Sequence, residues 1–344
     1  MQDSIIKKLQ IVNVIPETAD AKTFVLQPME GWQPIYKPGQ FITLVFYTHH
    51  AGEKRRSFSI SSSNDEPLAI TVKKVDNGEF SRMLNYKAAI GDILFSAGIS
   101  GFFTMPEEDR YESVCFLAAG SGITPCFALI KTLLQTTGKK IVLIYSNRSA
   151  ADTIFYHQLI DLAARSHGRF IIDFLFSSSN NILKSRLNNS LLTTMLAQYG
   201  KASREEILCY ICGPVEYMDT VSITLLTEGI PKANIRKENF VHYKPELAEL
   251  PPDTDPHKVS IKLKDRTVSF TVQYPVSILH QAQQEGIALP YSCESGQCGS
   301  CAAKCKQGRV WIAYNEVLTD REINQGLILT CQGFPIGGDV ELEY

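Results

Sequence analysis

Four cysteines set the chemistry open to this chain. Within LPYSCESGQCGSCAAKC, Leu289–Cys305, Cys293, Cys298 and Cys301 follow at the spacing C-x4-C-x2-C, and Cys331 comes later in LILTCQGFP. Thiolates so spaced can converge from one loop on two bridged irons, and this spacing with a distant fourth cysteine is the ligand pattern of a 2Fe-2S cluster. Ser295, Gly296, Gly299 and Ser300 carry little side chain, so backbone amides can approach the sulfurs and tune the potential. The alternative is a structural zinc site, but zinc usually takes two C-x2-C-type knuckles, which a lone fourth cysteine does not supply. Cys305 is expected on the strand leaving the loop, as a small buried thiol and not a ligand. Cys115, Cys126 and Cys209 lie in apolar runs and read the same way.

Composition narrows what can surround such a centre. The chain has 344 residues, 44% of them hydrophobic, enough for two or three domains with their own cores. A net charge of −2 argues against nucleic acid or a polybasic membrane surface as partner. The N-terminal MQDSIIKKLQIVNV has no signal-peptide core, and no run approaches the roughly 18 apolar residues of a membrane span, so a soluble cytoplasmic protein is expected. Thiols stay reduced in that compartment and nine cysteines is an odd count, which favours a metal site over a disulfide framework. The seven histidines form no ligand or triad pattern.

Three textures must position the cysteine loop. From Ile5 to about Phe103, KTFVLQP, QFITLVFY, RRSFSISS, LAITVKK and GDILFSAG are strand-like and separated by Pro, Gly and Asn, the pattern of a small antiparallel barrel. From about Tyr111 the apolar runs SVCFLAA, KKIVLIYS, RFIIDFLFS and EILCYICG alternate with helical stretches such as PCFALIKTLLQTT and TIFYHQLIDLAARS, which builds a parallel sheet with helices on both faces. KPELAELPPDTDPHK, Lys244–Lys258, is rich in Pro and acid and reads as an exposed linker. Strands resume at VSIKLK and TVSFTVQ, and a helix at SILHQAQQEG precedes the cysteine loop. The expected domains are 1–106, 107–243 and 259–344, with 244–258 between the last two. There is no internal repeat, and SSSNN at Ser177–Asn181 is the longest biased patch.

LPYSCESGQCGSC together with LTDREINQGLILTCQGFP closely resembles the C-terminal ferredoxin domain of reductases that feed electrons to oxygenases, and the likeness runs across nearly the whole chain. The resemblance implies a multi-domain β and α/β fold. Its parts are an antiparallel flavin-binding β-barrel, a parallel-sheet α/β nucleotide domain of the ferredoxin–NADP reductase type, and a C-terminal α+β ferredoxin-like (β-grasp) domain. The domain order is most similar to the reductase components of phenylacetyl-CoA epoxidase and related ring or steroid hydroxylases.

Site residues follow from the same resemblance. RRSFSISS resembles the R-x-Y-S flavin motif, which implies Arg56 at the FAD pyrophosphate, Ser59 near the reactive flavin nitrogen and Phe58 packing on the isoalloxazine in place of the usual Tyr. VKKVDNGEFSRML puts Gly78, Phe80 and Ser81 at the phosphate-binding turn and helix start. AAGSGITP follows a strand and opens a helix. Gly120 and Gly122 let a pyrophosphate approach backbone there, Thr124 adds a hydroxyl, and Pro125 completes the family's G-x-G-x-T-P. CGPVEYM resembles the nicotinamide motif, with Cys212, Gly213 and Pro214, and KENF supplies Glu238 and Phe240 toward the flavin. Ser59, Cys212 and Glu238 are thus the candidate catalytic residues.

In YSNRS, Ser146 and Arg148 stand where relatives hold a 2′-phosphate, and no acidic residue is there to grip a free ribose diol, which favours NADPH with NADH as the alternative. SSSNN replaces the Ser-Arg-Glu of relatives, and Arg186 is a candidate for the missing charge. The implied activity passes electrons from NAD(P)H through FAD and a 2Fe-2S cluster to an oxygenase of the diiron or Rieske type. A stand-alone reductase of small acceptors and a zinc-stabilised binding module are the alternatives, and the oligomeric state stays open.

Overall fold

The computed structural model describes residues 6–48, 52–108, 110–181, 185–199, 203–240, 249–264 and 266–344. It falls into two compact units, Met1–Ile99 with Phe103–Val241, and Ser100–Phe102 with His242–Tyr344. The first unit begins with six strands and a helix: β1 (Lys7–Thr18), β2 (Ala21–Pro28), β3 (Phe41–Thr48), β4 (Gly52–Ser59), β5 (Ala69–Lys73), α1 (Glu79–Lys87) and β6 (Ile93–Ser100). They form one sheet in the order β4-β3-β6-β1-β2-β5, and an antiparallel bridge between Ile60 and Ile70 closes it. Register shifts between Ile11 and Asn13 and between Pro16 and Thr18 let the long first strand curve round the barrel. Its interior holds Leu9, Ile11, Phe24, Leu26, Ile42, Leu44 and Ile70, with Phe80 and Leu84 of α1 packed in.

The same unit continues with alternating strands and helices: β7 (Ser113–Ala119), α2 (Ile123–Thr136), β8 (Lys140–Asn147), α3 (Tyr156–Arg165), β9 (Phe170–Phe176), α4 (Asn189–Tyr199), β10 (Ile207–Cys212), α5 (Val215–Thr227) and β11 (Ile235–Glu238). The sheet order is β11-β10-β7-β8-β9 and every pairing is parallel. The runs of β7 and β10 are unbroken because both faces are covered. Phe116, Tyr145 and Tyr210 pack with α2 and α3, while Leu117, Ile144 and Ile211 pack with α4 and α5. The chain builds outward from β7 to β9 and then returns to β10 on the other side of β7. A crevice for ligands opens where strand order reverses, at the carboxyl ends of β7 and β10. Tyr210 donates to the Thr104 carbonyl at 2.8 Å and Gln135 to Asp65 at 3.1 Å, tying sheet and helix to the barrel side.

The second unit comprises β12 (His257–Leu263), β13 (Arg266–Val272), α6 (Ile278–Gln284), β14 (Ala302–Gln307), β15 (Val310–Ile312), α7 (Asp320–Asn324), β16 (Leu327–Leu329), β17 (Gly333–Pro335) and β18 (Val340–Glu343). The five-stranded sheet β13-β12-β18-β14-β16 carries α6 across it, and β15 pairs separately with β17. The expected linker differs at its end. Residues 244–248 lie outside those described, and β12 already starts at His257. Just before it, the Asp253 carboxylate accepts from the Gly337 and Asp255 amides and pairs with His257 at 2.7 Å, which holds it low, at about 2. Cys305 lies on β14 as expected but is only half-buried, with its thiol toward the Gln307 carbonyl at 3.5 Å. Among the described residues no helix is long and apolar enough to cross a membrane.

Candidate functional site

The Gly-rich turn sits in the crevice. Gly120 has φ +55°, a conformation that strains residues with a side chain. A Cβ on Gly122 would lie 2.0 Å from the Cys212 carbonyl oxygen and 2.8 Å from the Gly213 nitrogen, so glycine lets the turn press onto the end of β10. Thr124 turns its hydroxyl back to the Ser121 carbonyl at 2.9 Å, and Tyr145 donates to the Gly120 carbonyl at 2.8 Å. These bonds hold the turn shut and leave the first amides of α2 facing the crevice, where an anion is favoured. Pro125 is buried in the first turn of α2, and Pro214 caps α5 just after Gly213.

Three expected catalytic residues meet from three strand ends. Ser59, closing β4, donates to Glu238 Oε1 at 2.7 Å, and Glu238 pairs in register with Cys212 across β10 and β11. Cys212 is fully buried and Glu238 is 9% exposed. Burial lifts the Glu238 carboxyl from 4.5 to about 7, with the Ser59 hydrogen bond pulling the other way. Burial also pushes the Cys212 thiol up, and the neighbouring Glu238 adds to this. Phe240, just beyond, is 40% exposed.

The flavin motif surrounds the start of α1. Arg56 is exposed, with its guanidinium 5.2 Å from the Phe80 ring, and Phe58 is half-buried against the barrel core. Ser81 accepts from the Val75 amide and donates to the Gly78 carbonyl, each at 3.2 Å, so its hydroxyl ties the turn. One residue that the motifs did not single out is Lys73. Its ammonium lies 3.7 Å from where a Cβ of Gly120 would stand, placing a cation from the barrel beside the nucleotide turn.

At the far end of the crevice, Ser146 is half-buried and Arg148 exposed. The loops after β8 and β9 are zipped together, with the Ser177 and Ser178 amides donating to the Asn147 and Arg148 carbonyls at 3.0 Å, so SSSNN lies alongside Arg148. Arg186 is exposed.

The ligand cysteines assemble as two pairs. Cys293 lies beside Cys298, and Cys301 beside Cys331. Cys298, Cys301 and Cys331 are at most 7% exposed. Glu294, Gly296 and Gly299 take positive φ of 57°, 75° and 73°, which bends the loop round the sulfurs. The Ser295 amide approaches Cys293 Sγ at 3.4 Å and the Ser300 amide Cys298 Sγ at 3.5 Å. Ser300 Oγ is buried without a hydrogen-bond partner among the described residues, a cost of about 1–3 kcal/mol unless a sulfur accepts from it. Two thiolates on each of two irons fit these pairs.

Residues 261–335 match the 2Fe-2S iron-sulfur cluster binding domain, and residues 116–222 the oxidoreductase NAD-binding domain. The chain is 31% identical to the ferredoxin reductase component of 3-ketosteroid-9-alpha-monooxygenase from Mycolicibacterium smegmatis, over 98% of this chain and 96% of that relative. It is 30% identical to one of the subunits of 1,2-phenylacetyl-CoA epoxidase from Escherichia coli, over 98% of this chain and 97% of that relative. Phthalate dioxygenase reductase, described as a modular structure for electron transfer from pyridine nucleotides to 2Fe-2S, aligns over 98% of both chains with a TM-score of 0.60 and 23% identity, which identifies the fold.

Proposed function

Because the chain belongs to the family of ferredoxin reductase components of oxygenase systems, we propose that it takes electrons from NAD(P)H and delivers them, one at a time, to a soluble oxygenase in the cytoplasm. Bound FAD supplies a ring that accepts hydride, and the cluster supplies a one-electron carrier. The protein's own part is to position these groups and keep water out. The domains that do so are 1–106 for FAD, 107–243 for the nucleotide and, from the start of β12, 257–344 for the cluster.

The observation that carries this reading is the meeting of Ser59, Cys212 and Glu238 beneath the Gly120–Gly122 turn. A dinucleotide whose pyrophosphate lies on the turn and the start of α2 can lay its nicotinamide against Cys212, Gly213 and Pro214, which are small and backbone-rich. Ser59 offers a hydroxyl at the flavin edge, and Glu238 fixes where that hydroxyl points. Arg56, with the Gly78–Ser81 helix start, neutralises the FAD pyrophosphate through charge-assisted bonds. Phe58 and Phe240 border the flavin ring. Ser146 and Arg148 face the 2′-phosphate of NADPH, and Lys73 adds a cation at the nucleotide pyrophosphate. Cys293, Cys298, Cys301 and Cys331 hold the cluster.

Iron, acid-labile sulfide and flavin assays on the purified full-length chain test this together with its visible spectrum. The expected result is a coloured protein with equal iron and sulfide and with FAD. A colourless zinc protein would overturn the reading.

A further inference from the structure

Three strand ends meet at one corner of the cysteine loop. Cys301 stands immediately before β14 and Thr330 immediately after β16, and these antiparallel strands pair with Ala302 opposite Leu329. One step beyond that pair Cys301 faces Thr330, the neighbour of Cys331, and the Thr330 amide donates to the Cys301 carbonyl at 3.3 Å. β18 lies on the other side of β14, with Glu343 opposite Lys304. The next residue, Tyr344, is thereby delivered to the same corner. Its amide donates to the Lys262 carbonyl of β12 at 3.2 Å, and its ring packs against the apolar core of this unit.

Side chains complete what the backbone begins there. Thr330 is fully buried, and its hydroxyl donates to the Cys301 carbonyl at 3.0 Å. With its one proton placed on that carbonyl, the hydroxyl accepts from the Tyr344 phenol at 3.0 Å, and the phenol also reaches the Cys301 carbonyl at 3.3 Å. The Thr330 carbonyl is held in turn by the Leu279 amide of α6 at 2.9 Å. Backbone pairing of β14 with β16 is complete without either hydroxyl, and burying hydroxyls is tolerated only when they are satisfied. What the two add falls on one peptide group, that of Cys301. Its orientation decides where the Cys301 side chain points, and hydrogen bonds one step removed from a metal commonly set how its ligands are aimed.

We propose that Tyr344 is a positioning residue for the cluster: through Thr330 it holds the Cys301 backbone opposite Cys331, and so sets how firmly and in what geometry this pair of sulfurs grips iron. The inference rests on the cluster reading above. It assigns part of the cluster's hold to a side chain outside the cysteine loop, more than ten residues beyond the last ligand.

The test compares the purified full-length chain with Tyr344→Phe, Thr330→Val, Thr330→Ser and the Tyr344→Phe, Thr330→Val double variant. One readout is the rate at which an iron chelator bleaches the cluster. The other is the cluster's own signature: visible circular dichroism of the oxidised protein and electron paramagnetic resonance of the dithionite-reduced protein. Tyr344→Phe keeps the ring and its packing, so it should fold with FAD retained, lose iron roughly three- to tenfold faster, the range of one buried hydrogen bond, and shift the signature. Thr330→Val should do at least as much, while Thr330→Ser keeps the hydroxyl and should behave as wild type. The double variant should lose iron more slowly than the two single effects multiplied, because the phenol acts through the hydroxyl already removed. Wild-type iron loss in Tyr344→Phe, faster loss with an unchanged signature, or independent effects in the double variant would each overturn the assignment while the cluster reading stands. A wild type that carries no iron and sulfide would overturn both.

Discussion

Replacing Glu238 with Gln removes a carboxyl that the fold buries between Ser59 and Cys212, and its effect on stability has a defined sign and pH window. The carboxyl is raised from 4.5 to about 7, chiefly because burial disfavours its charge. The folded protein therefore binds this proton more tightly than the unfolded chain. Its contribution is fully present below pH 4.5 and is lost as pH rises through about 7. At about 1.36 kcal/mol per pH unit, a rise from 4.5 to about 7 corresponds to about 3 kcal/mol between those limits. Glu238→Gln cannot titrate, so it should lose that slope and gain on wild type by about 3 kcal/mol from pH 4.5 to pH 8. Urea unfolding of the flavin-free chain measures this, followed through Trp32 in a Trp311→Phe background so that the barrel unit alone reports. Ser59→Ala should move the window to higher pH, because the hydrogen bond it removes holds the carboxyl down. Parallel pH profiles for wild type and Glu238→Gln would refute the reasoning.

Arg148→Ala should raise KM for NADPH roughly tenfold or more and leave NADH nearly unchanged in steady-state kinetics, since only the 2′-phosphate gains charge-assisted bonds there. Gly122→Ala forces a methyl to within 2.0 Å of the Cys212 carbonyl, so it should cost about 1–3 kcal/mol in stability and slow flavin reduction by NADPH while FAD content is retained. Cys305→Ser should keep a full complement of iron by colorimetric assay, because the ligand pairs are complete without it.

The cysteine spacing and the apolar runs SVCFLAA and EILCYICG were legible because each reflects a constraint local to a few residues: ligand geometry in the first, burial on both faces in the second. What stayed hidden depends on residues distant in the chain. Gly122 reads as part of a turn, but its close approach to Cys212 is set by parallel pairing with β10, some ninety residues on. Lys73 and Lys74 are adjacent and chemically alike, yet Lys73, the last residue of β5, stands beside Gly120 while Lys74, just past the strand, pairs with Asp20. Asp253 looked like one more acid in a solvated linker, yet two backbone amides and His257 anchor it against the second unit. Strands β15, β16 and β17 have three residues each, too few to show any periodicity.

The order of electron flow is tested most directly by anaerobic rapid mixing of Cys298→Ser with NADPH, following the flavin absorbance and then supplying an oxygenase acceptor. The variant is expected to lack the cluster, retain FAD, bleach it at the wild-type rate and pass almost nothing to the acceptor. A folded, FAD-loaded variant whose flavin stays oxidised, or one that still reduces the oxygenase at the wild-type rate, would contradict that order.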